Sequence, residues 1–365
     1  MVRAKISGKL PRGCDLKNLI EQNGIDTESL ERISIDYGIE DLVLYKIRGE
    51  PYFDDFLETY IIDAPEAREI AAHQHIVGDQ LTSKCLTCAR KAIRPILELT
   101  SINKSNADKV VHLHVLRAAP GYQLHTALEE VMGKIRQTFV RPRYVKASYR
   151  DHLGAESMVL RVDYKEFSSV PAREEIIVVK PDTEATGRTA EVSIRSLFER
   201  GEELDTRIKE LILYGFISGK SLLRIKDVAS SLGIEKVVAF AWVDLTALAY
   251  NKYDMVLYGV DESFWKEKRR ISRLGSIVAM ETLKSMISIY VPGLDQPGDF
   301  SERQEKLWDG EKWVNGDMLG HLKKTAGIIE SIKAIPGALE SWQEEIANKQ
   351  LEMLYMKMKE LSSKG

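Results

Sequence analysis

The sequence predicts an α/β protein built on a mainly parallel, twisted sheet flanked by helices, with extra helical regions at both ends of the chain. Short apolar segments rich in β-branched residues alternate with helical patterns through the middle of the chain, as is typical of parallel sheets. Of the 365 residues, 44% are hydrophobic and 29% are charged. This composition is that of a globular protein with a large core and argues against disordered or fibrous classes.

The first 75 residues are predicted to form an accessory region in which helices surround one or two short strands. The core is predicted to span residues 76–300. It opens with a helix-rich stretch and continues into VVHLHVLRAAP, where apolar residues alternate and β-branched residues cluster. This pattern predicts a strand that ends at Pro120 and Gly121.

The rest of the core is predicted from further changes of periodicity. YQLHTALEEVMGKIRQTF has apolar residues at helical spacing, and RPRYVKASYRD and SMVLRVDYKEF have the pattern of strands. EEIIVVKPDTEATG is the clearest strand, followed by a helix in TAEVSIRSLFERG. We predict a further helix through LDTRIKELILYGF and strands in EKVVAFAWV and YDMVLYGVD.

Residues 301–365 are predicted to be a helical extension. Its apolar residues recur at helical spacing and form a stripe that suits packing on the body of the protein or on a second subunit. The stripe consists of Leu339, Trp342, Ile346, Leu351, Leu354 and Met358.

Charge and hydropathy exclude several classes of partner. Lys and Arg total 52 against 55 Asp and Glu, for a net charge of −3, so the chain as a whole has no attraction for nucleic acids or anionic membranes. The N-terminus has no apolar stretch of signal-peptide length, and no segment reaches the roughly 18 apolar residues of a membrane span. We therefore expect a cytoplasmic protein without a membrane or nucleic-acid partner, and interpret the basic run KEKRRISRLG as a solvated helix.

The cysteines and histidines are predicted to be structural. An odd count of three cysteines fits a reducing compartment. Cys85 and Cys88 form a CxxC motif. With His73 and His75 as further ligands it could bind zinc, but we favour two half-buried thiols on an amphipathic helix. His112 and His114 share one strand face, and with His125 we expect simple packing and no metal site.

A candidate anion site lies in IIVVKPDTEATGRT, at residues 176–189. A strand that ends here and opens a helix brings main-chain N–H groups together with the positive end of the helix dipole. Gly187 allows close approach of the backbone, and Thr186 and Thr189 add hydroxyl donors. The carboxylates Asp182 and Glu184 would repel a phosphate unless they bind ribose hydroxyls or a divalent cation. The combination predicts a phosphorylated sugar as ligand.

This segment resembles the phosphoribosyl pyrophosphate (PRPP) loop of type I phosphoribosyltransferases. Ala185, Thr186, Gly187 and Thr189 match its pattern, and Asp182 matches one of its two acidic positions, whereas Pro181 and Arg188 depart from it. The resemblance implies PRPP binding by a larger set. These residues are Asp182, Thr183, Glu184, Ala185, Thr186, Gly187, Arg188, Thr189 and Gln296.

Three further segments, in the same chain order, resemble the uracil phosphoribosyltransferase branch over residues 110–300, about half of the chain. HVLRAAPGYQLHTAL is similar to its pyrophosphate loop, SYRDH carries a YRD at residues 149–151, and YVPGLDQPGDF is similar to the segment that lies against the base. In this last segment Asp295 replaces a glycine and Gln296 an aspartate, which puts uracil itself in doubt. The resemblance implies that Tyr290, Gly293, Asp295, Gln296 and Pro297 bind the acceptor.

The resemblance implies magnesium-dependent transfer of a phosphoribosyl group from PRPP to a ring nitrogen of a nucleobase-like acceptor, with release of pyrophosphate, in a nucleotide-salvage enzyme. Arg117 and Asp182 are the implied catalytic residues. Arg117, with the amides of residues 119–121, would stabilise the departing pyrophosphate, and Asp182 the positive charge that develops on the ribose. Asp295 would favour a ring that presents N–H donors. The Mg²⁺ ion would bind with PRPP, and the family implies a homodimer.

The altered loop leaves an alternative of another class, a PRPP- or nucleotide-binding regulator that has lost turnover. Arg117 and the YRD favour the enzyme, whereas Pro181, Arg188 and Gln296 favour the regulator.

Overall fold

The computed structural model describes residues 10–34, 38–146, 158–261 and 272–363. Its α-helices are α1 (Leu16–Asn23), α2 (Pro65–Ala72), α3 (Asp79–Leu99), α4 (Leu124–Met132), α5 (Arg188–Glu203), α6 (Gly219–Ser231), α7 (Met280–Met286), α8 (Met318–Lys333) and α9 (Ser341–Ser362). Among the described residues, none of these helices combines the length and the apolar character needed to cross a membrane.

The strands of the main sheet follow the chain in nine segments, and two short strands pair with one of them. The nine are β1 (Leu30–Arg32), β2 (Val43–Ile47), β3 (Leu57–Asp63), β4 (Val110–Val115), β5 (Arg136–Lys146), β6 (Met158–Glu166), β7 (Glu175–Pro181), β8 (Arg207–Ser218) and β9 (Lys236–Leu248). The two that pair with β9 are β10 (Met255–Val256) and β13 (Ile277–Val278). The remaining strands form two small hairpins outside the sheet: β11 (Tyr258–Val260) with β12 (Arg273–Gly275), and β14 (Lys306–Trp308) with β15 (Trp313–Asn315).

The sheet has the order β1-β2-β3-β9-β8-β7-β4-β5-β6. All pairs from β3 to β5 are parallel, and the outer pairs β1-β2, β2-β3 and β5-β6 are antiparallel. The mainly parallel sheet flanked by helices is therefore confirmed. Because chain order reverses between β4 and β7, a crevice is expected at the carboxyl ends of these two strands.

Each face of the sheet is covered by its own set of helices. Val178 and the residues that share its face pack against α5 and α6, through Ile194 and Ile225 among others. Ile177 and Val179 face the other side, which α2, α3 and α4 cover together with the C-terminal α8 and α9. Alternation along β7 thus buries both faces, as in a sheet enclosed on two sides.

The terminal regions belong to the same packing. Strand β3, from the predicted accessory region, pairs with β9 in the middle of the sheet. Most of the apolar stripe on α9 is buried against the body of the chain, with Trp342, Ile346 and Leu354 at 7%, 5% and 1% exposure. The stripe therefore packs within the protein.

One element was predicted wrongly, and the helix predicted over YQLHTALEEVMGKIRQTF is shorter than expected, since α4 ends at Met132 and β5 begins at Arg136. LDTRIKELILYGF was expected to be a helix, but from Arg207 it forms β8, the central strand between β7 and β9. Residues 210–218 are buried without interruption, so the segment lacks the polar face that a surface helix shows. A continuous apolar run of this kind suits a strand covered on both faces.

The CxxC lies on α3 as expected, but deeper than predicted. Cys85 and Cys88 are both 0% exposed, and burial raises the pKa of each thiol, that of Cys88 to about 12. Within the described part of the chain, neither cysteine joins a group of three potential metal ligands. The two thiols fill the core as small apolar side chains do.

Candidate functional site

A cavity of about 380 Å³ lies beside the loop that follows β7. Several segments distant in sequence form its wall: Ala118, Tyr144, Thr183, Glu184, Ala185, Thr186, Gly187, Thr189, Lys252, Tyr253, Asp254, Asp295, Pro297, Gly298, Asp299, Phe300, Ser301 and Lys324. The loop after β4 and the loop after β7 both contribute to it. The cavity thus lies where the strand order reverses, the usual place of ligand sites in open α/β sheets.

The loop after β7 is held in place by β8. The N–H of Glu184 donates to the carbonyl of Phe216 at 2.8 Å, and the carbonyl of Glu184 accepts from the N–H of Ser218 at 2.9 Å. The Ser218 hydroxyl also donates to the carbonyl of Ala185. These bonds fix the path of residues 183–186 before α5 begins, so the loop is shaped without a ligand.

The same loop presents donors to the cavity. The N–H groups of Ala185, Thr186 and Gly187 donate to no acceptor among the residues that the structure describes. Gly187 has a φ of +73°, a left-handed conformation that suits glycine, directly before the first turn of α5. Unpaired amides at the start of a 16-residue helix favour an anion.

Two predicted ligands of this loop have partners inside the protein. The Lys180 ammonium is 0% exposed; its Nζ lies 3.2 Å from Oδ2 of Asp182 and also donates to Oε1 of Glu184. Asp182 was expected to face a ribose, but its carboxylate is turned into the core and does not line the cavity. The physical reason is that a buried ammonium needs counter-charges. Glu184 does line the cavity, although it too is paired with Lys180.

Lys180, Asp182 and Glu184 form a buried charged triad, and their charges depend on one another. Burial opposes the charge of Lys180, but the neighbouring carboxylates outweigh it and raise the pKa of the ammonium. Burial raises the pKa of Asp182 to about 6, since the opposing effect of Lys180 is incomplete and Glu184 adds to the rise. Lys180 is thus charged, and Asp182 changes its protonation state near pH 6.

Arg117 also differs from the expectation. Its guanidinium pairs with Oε1 of Glu302, whose Oε2 accepts from the N–H of Asp317 at 2.7 Å. The side chain is not part of the cavity wall, whereas the neighbouring Ala118 is. Arg188 is not part of the cavity wall either, and its guanidinium carbon lies 5.6 Å from the ring centre of Tyr144, which is.

The segment predicted to bind the acceptor divides into a wall and a support. Asp295 and Pro297 line the cavity. Tyr290 and Gln296 are 0% exposed. The Tyr290 hydroxyl donates to the carbonyl of Leu294. Nε2 of Gln296 donates to Oδ1 and Oδ2 of Asp244 at 3.1 and 3.0 Å.

Gly293 belongs to the support as well. Its φ is +83°, and a side chain there would lie 2.8 Å from the carbonyl oxygen of Val260. Gly293, Tyr290 and Gln296 therefore shape the wall from behind and do not themselves face the cavity.

Asp295 is the acidic group of this wall. Its Oδ1 accepts from the N–H of Met255 at 2.7 Å. Burial, and after it the charge of Asp254, raises the pKa of Asp295 well above its usual value. In its protonated form the carboxyl can donate a hydrogen bond as well as accept one, so it suits a wider choice of rings than those with N–H donors alone.

The sequence analysis missed several residues of the wall. Tyr144, Lys252, Tyr253, Asp254 and Lys324 come from β5, from the turn between β9 and β10, and from α8. No local motif surrounds them, and only folding brings them together. Tyr149, Arg150 and Asp151 of the YRD lie outside the described residues.

Comparisons with known proteins give weak likenesses. No protein-family model and no curated protein matches the chain. Adenine phosphoribosyltransferase from Trypanosoma brucei, in complex with AMP, pyrophosphate and ribose-5-phosphate, is 8% identical, with a TM-score of 0.32 over 53% of this chain and 86% of that one. Orotate phosphoribosyltransferase from Francisella tularensis is 12% identical, with a TM-score of 0.25 over 74% of this chain and 94% of that one.

Proposed function

We propose that the protein binds PRPP in this cavity and transfers its phosphoribosyl group to a ring nitrogen of a nucleobase-like acceptor, with release of pyrophosphate. One observation carries the proposal. The loop at residues 185–187, directly before α5, lines the same cavity as the Asp295–Ser301 segment, and in this proposal its amides bind the anion. The PRPP-loop resemblance of residues 182–189 supports the same assignment.

The loop suits the phosphate of the ribose unit. Three amides that have no acceptor among the described residues, together with the Thr189 hydroxyl at the first turn of α5, offer donors to the cavity. Charge-assisted hydrogen bonds to a phosphate are stronger than those between neutral groups. In this proposal the loop holds the ribose phosphate, and the ring lies toward residues 295–301.

The pyrophosphate needs positive charge elsewhere in the cavity. Lys252 and Lys324 line it from outside the loop, and Arg117 would join them where its ion pair with Glu302 opens. These cations would stabilise the leaving group as the C1–oxygen bond breaks, and the acceptor nitrogen would take its place. The reaction needs no covalent intermediate with the protein.

The cavity also suits the magnesium ion that the resemblance implies. Asp254 and Asp299 line the cavity, and carboxylate oxygens are donors that Mg²⁺ prefers. These residues would hold the ion together with PRPP. When bound, it would neutralise charge on the pyrophosphate.

The acceptor would lie against the wall formed by Asp295, Pro297 and Phe300. Phe300 is fixed by stacking on Tyr122, with ring centres 4.3 Å apart and an angle of 13° between the planes. Asp295 would read the edge of a planar ring by hydrogen bonding. A ring that covers the Asp295 carboxyl without offering it a hydrogen bond would bind more weakly, because the carboxyl would lose its contact with water.

A PRPP- or nucleotide-binding regulator is the second candidate. The internal pairing of Asp182 with Lys180, and of Arg117 with Glu302, favours it. In this state the two residues implied to be catalytic contact protein groups, while the phosphate-binding amides remain available. A regulator would keep binding without turnover.

The two candidates are separated by incubating the full chain with PRPP, Mg²⁺ and a panel of purine and pyrimidine bases, while pyrophosphate release and heat of binding are followed. Release with one of the bases supports the transferase. Saturable binding of PRPP without release supports the regulator, and the absence of both refutes the proposed site.

Thr189→Val tests the location. It removes one hydroxyl donor, and we expect PRPP affinity to fall about tenfold, which corresponds to a free energy of about 1.4 kcal/mol. Thr87→Val is the matched control, because this α3 hydroxyl donates to the carbonyl of Ser83 at 2.9 Å and is not part of the cavity wall. Equal affinities of the two variants would place PRPP elsewhere.

A further inference from the structure

Three histidines converge between β4 and α4. His112 and His114 alternate along β4 and therefore share a face of the sheet, and α4 places His125 over that face. A nitrogen atom of each ring lies within 4.8 Å of those of the other two. The ring centres are separated by 4.2 Å for His112 and His114, 4.9 Å for His114 and His125, and 5.5 Å for His112 and His125.

Four nitrogen atoms of this cluster are buried without a hydrogen-bond partner among the described residues. They are both ring nitrogens of His112, Nδ1 of His114 and Nδ1 of His125. His112 is 0% exposed and His114 is 1% exposed. Buried polar atoms in proteins are nearly always paired, so four orphaned nitrogens in one place indicate a missing partner that all three rings share.

The surrounding hydrogen bonds orient the free nitrogen of His114. Its Nε2 lies 3.1 Å from Oε1 of Gln137, and the Gln137 amide nitrogen in turn donates to Oε1 of Glu129 at 3.0 Å. That second bond directs the Gln137 oxygen toward His114, so the histidine proton is on Nε2. The lone pair of Nδ1 is then available to a metal, which is how outer partners prepare histidine ligands.

The other two rings suit the same role. Nε2 of His125 lies 3.3 Å from the Thr126 hydroxyl, which leaves its Nδ1 free. Burial lowers the pKa of all three histidines, that of His114 to about 3. Burial thus favours the neutral rings, the form in which imidazole binds metals.

We propose that His112, His114 and His125 bind one transition-metal ion of the zinc class. Imidazole nitrogens suit Zn²⁺ and neighbouring ions such as Co²⁺ and Ni²⁺. Tetrahedral Zn²⁺ with bonds of about 2.0–2.1 Å requires ligand nitrogens about 3.3 Å apart, so the rings must approach one another by small side-chain rotations. Three histidines leave a fourth position for water.

The fold supplies what the sequence analysis lacked. Simple packing was expected for His112, His114 and His125, because the sequence places only the first two on one strand face. The third ligand reaches them through the helix that covers their face. His125 is only partly buried, which leaves a path by which the ion enters.

The proposed site joins the two elements that flank the loop at residues 116–123. Ala118 of this loop lines the PRPP cavity, but no histidine of the cluster does. Bound metal would therefore stabilise the cavity wall from outside. The proposal does not depend on PRPP binding, and its test needs none.

The test uses the full chain without a histidine tag, stripped with a chelator and titrated with Co²⁺ while visible absorption is recorded. We expect one Co²⁺ per chain, a ligand-field spectrum typical of a site with four or five ligands, and displacement by Zn²⁺. His125→Gln should weaken Co²⁺ binding at least tenfold, since it removes one of three ligands. His75→Gln is the matched control, because His75 is also half-buried with an orphaned Nδ1 but lies outside the cluster.

A second measurement uses the unaltered protein and does not depend on the folding of a variant. Zn²⁺ should protect His125 from modification by diethyl pyrocarbonate, as mapped by mass spectrometry, and should leave His75 as reactive as before. Substoichiometric Co²⁺ binding, equal binding by His125→Gln and the unaltered chain, loss of binding in His75→Gln, or unprotected His125 would each overturn the proposal.

Discussion

Lys180→Met tests whether the buried lysine holds the loop after β7 by its charge. Methionine has a similar length and is stable in an apolar environment, so the change removes the ammonium with little loss of packing. The carboxylates of Asp182 and Glu184, which are 5% and 3% exposed, are then left without their counter-charge. Removing one partner of a buried ion pair lowers the free energy of unfolding by about 3–5 kcal/mol, and we expect a loss of this size at pH 8.

The loss should become smaller in acid. The pKa of Asp182 is raised to about 6 with Lys180 present, so at pH 5 this carboxyl is mostly protonated and one of the two uncompensated charges disappears. An acid with a raised pKa in the folded state favours folding at low pH, and its effect on stability becomes unfavourable as pH rises through that value. We therefore expect the loss at pH 5 to be about half of that at pH 8, or about 2 kcal/mol.

Urea unfolding followed by circular dichroism at the two pH values measures both quantities. Lys209→Met is the control, because Lys209 is exposed on β8, and a surface change should alter stability by less than about 0.5 kcal/mol. The triple variant with Asp182→Asn and Glu184→Gln should recover most of the stability, since no charge remains buried. A loss below about 1 kcal/mol at pH 8, or an equal loss at both pH values, would refute the argument.

Two further changes separate shape from charge at the site. Gly187→Ala should lower PRPP affinity at least tenfold, as measured by calorimetry, because φ is +73° and the new Cβ would lie 3.0 Å from the carbonyl oxygen of Ser221. Gly233→Ala is the control: its φ is +69°, but no described atom lies within 4 Å of the new Cβ, so PRPP affinity should not change. Equal losses of affinity in the two variants would contradict the steric explanation. Burial raises the pKa of Asp244 to about 7, so its ionisation makes the folded state less stable as pH rises from about 4 to 7. Asp244→Asn should remove this decline and raise the free energy of unfolding at pH 8 relative to pH 5 by about 2–3 kcal/mol in urea titrations. Gln296, whose Oε1 has no hydrogen-bond partner among the described residues, can accept from the new amide. The same pH dependence in the variant and the parent would show that Asp244 is not the source.

Local patterns were sufficient to predict the elements with a strong period. The buried strand through Ile177 and Val179, the amphipathic helix that follows Gly187 and the long C-terminal helices were all predicted from apolar spacing. The segment after Leu204 was predicted wrongly, because a fully buried strand has no alternation and its apolar residues also fit a helical spacing. Whether such a segment forms a helix or a strand then depends on the elements that pack against it, and its own sequence does not specify those elements.

The candidate site divides in the same way. The sequence alone determined that a strand, an Ala-Thr-Gly turn and a helix follow one another at residues 176–189, because these are short-range properties of the backbone. Only the tertiary structure decided where the charges go: Lys180 draws Asp182 into the core, Glu302 pairs with Arg117, and α4 brings His125 to His112 and His114. Electrostatic and ligand contacts depend on distances between residues far apart along the chain, and those distances exist only once the sheet has formed.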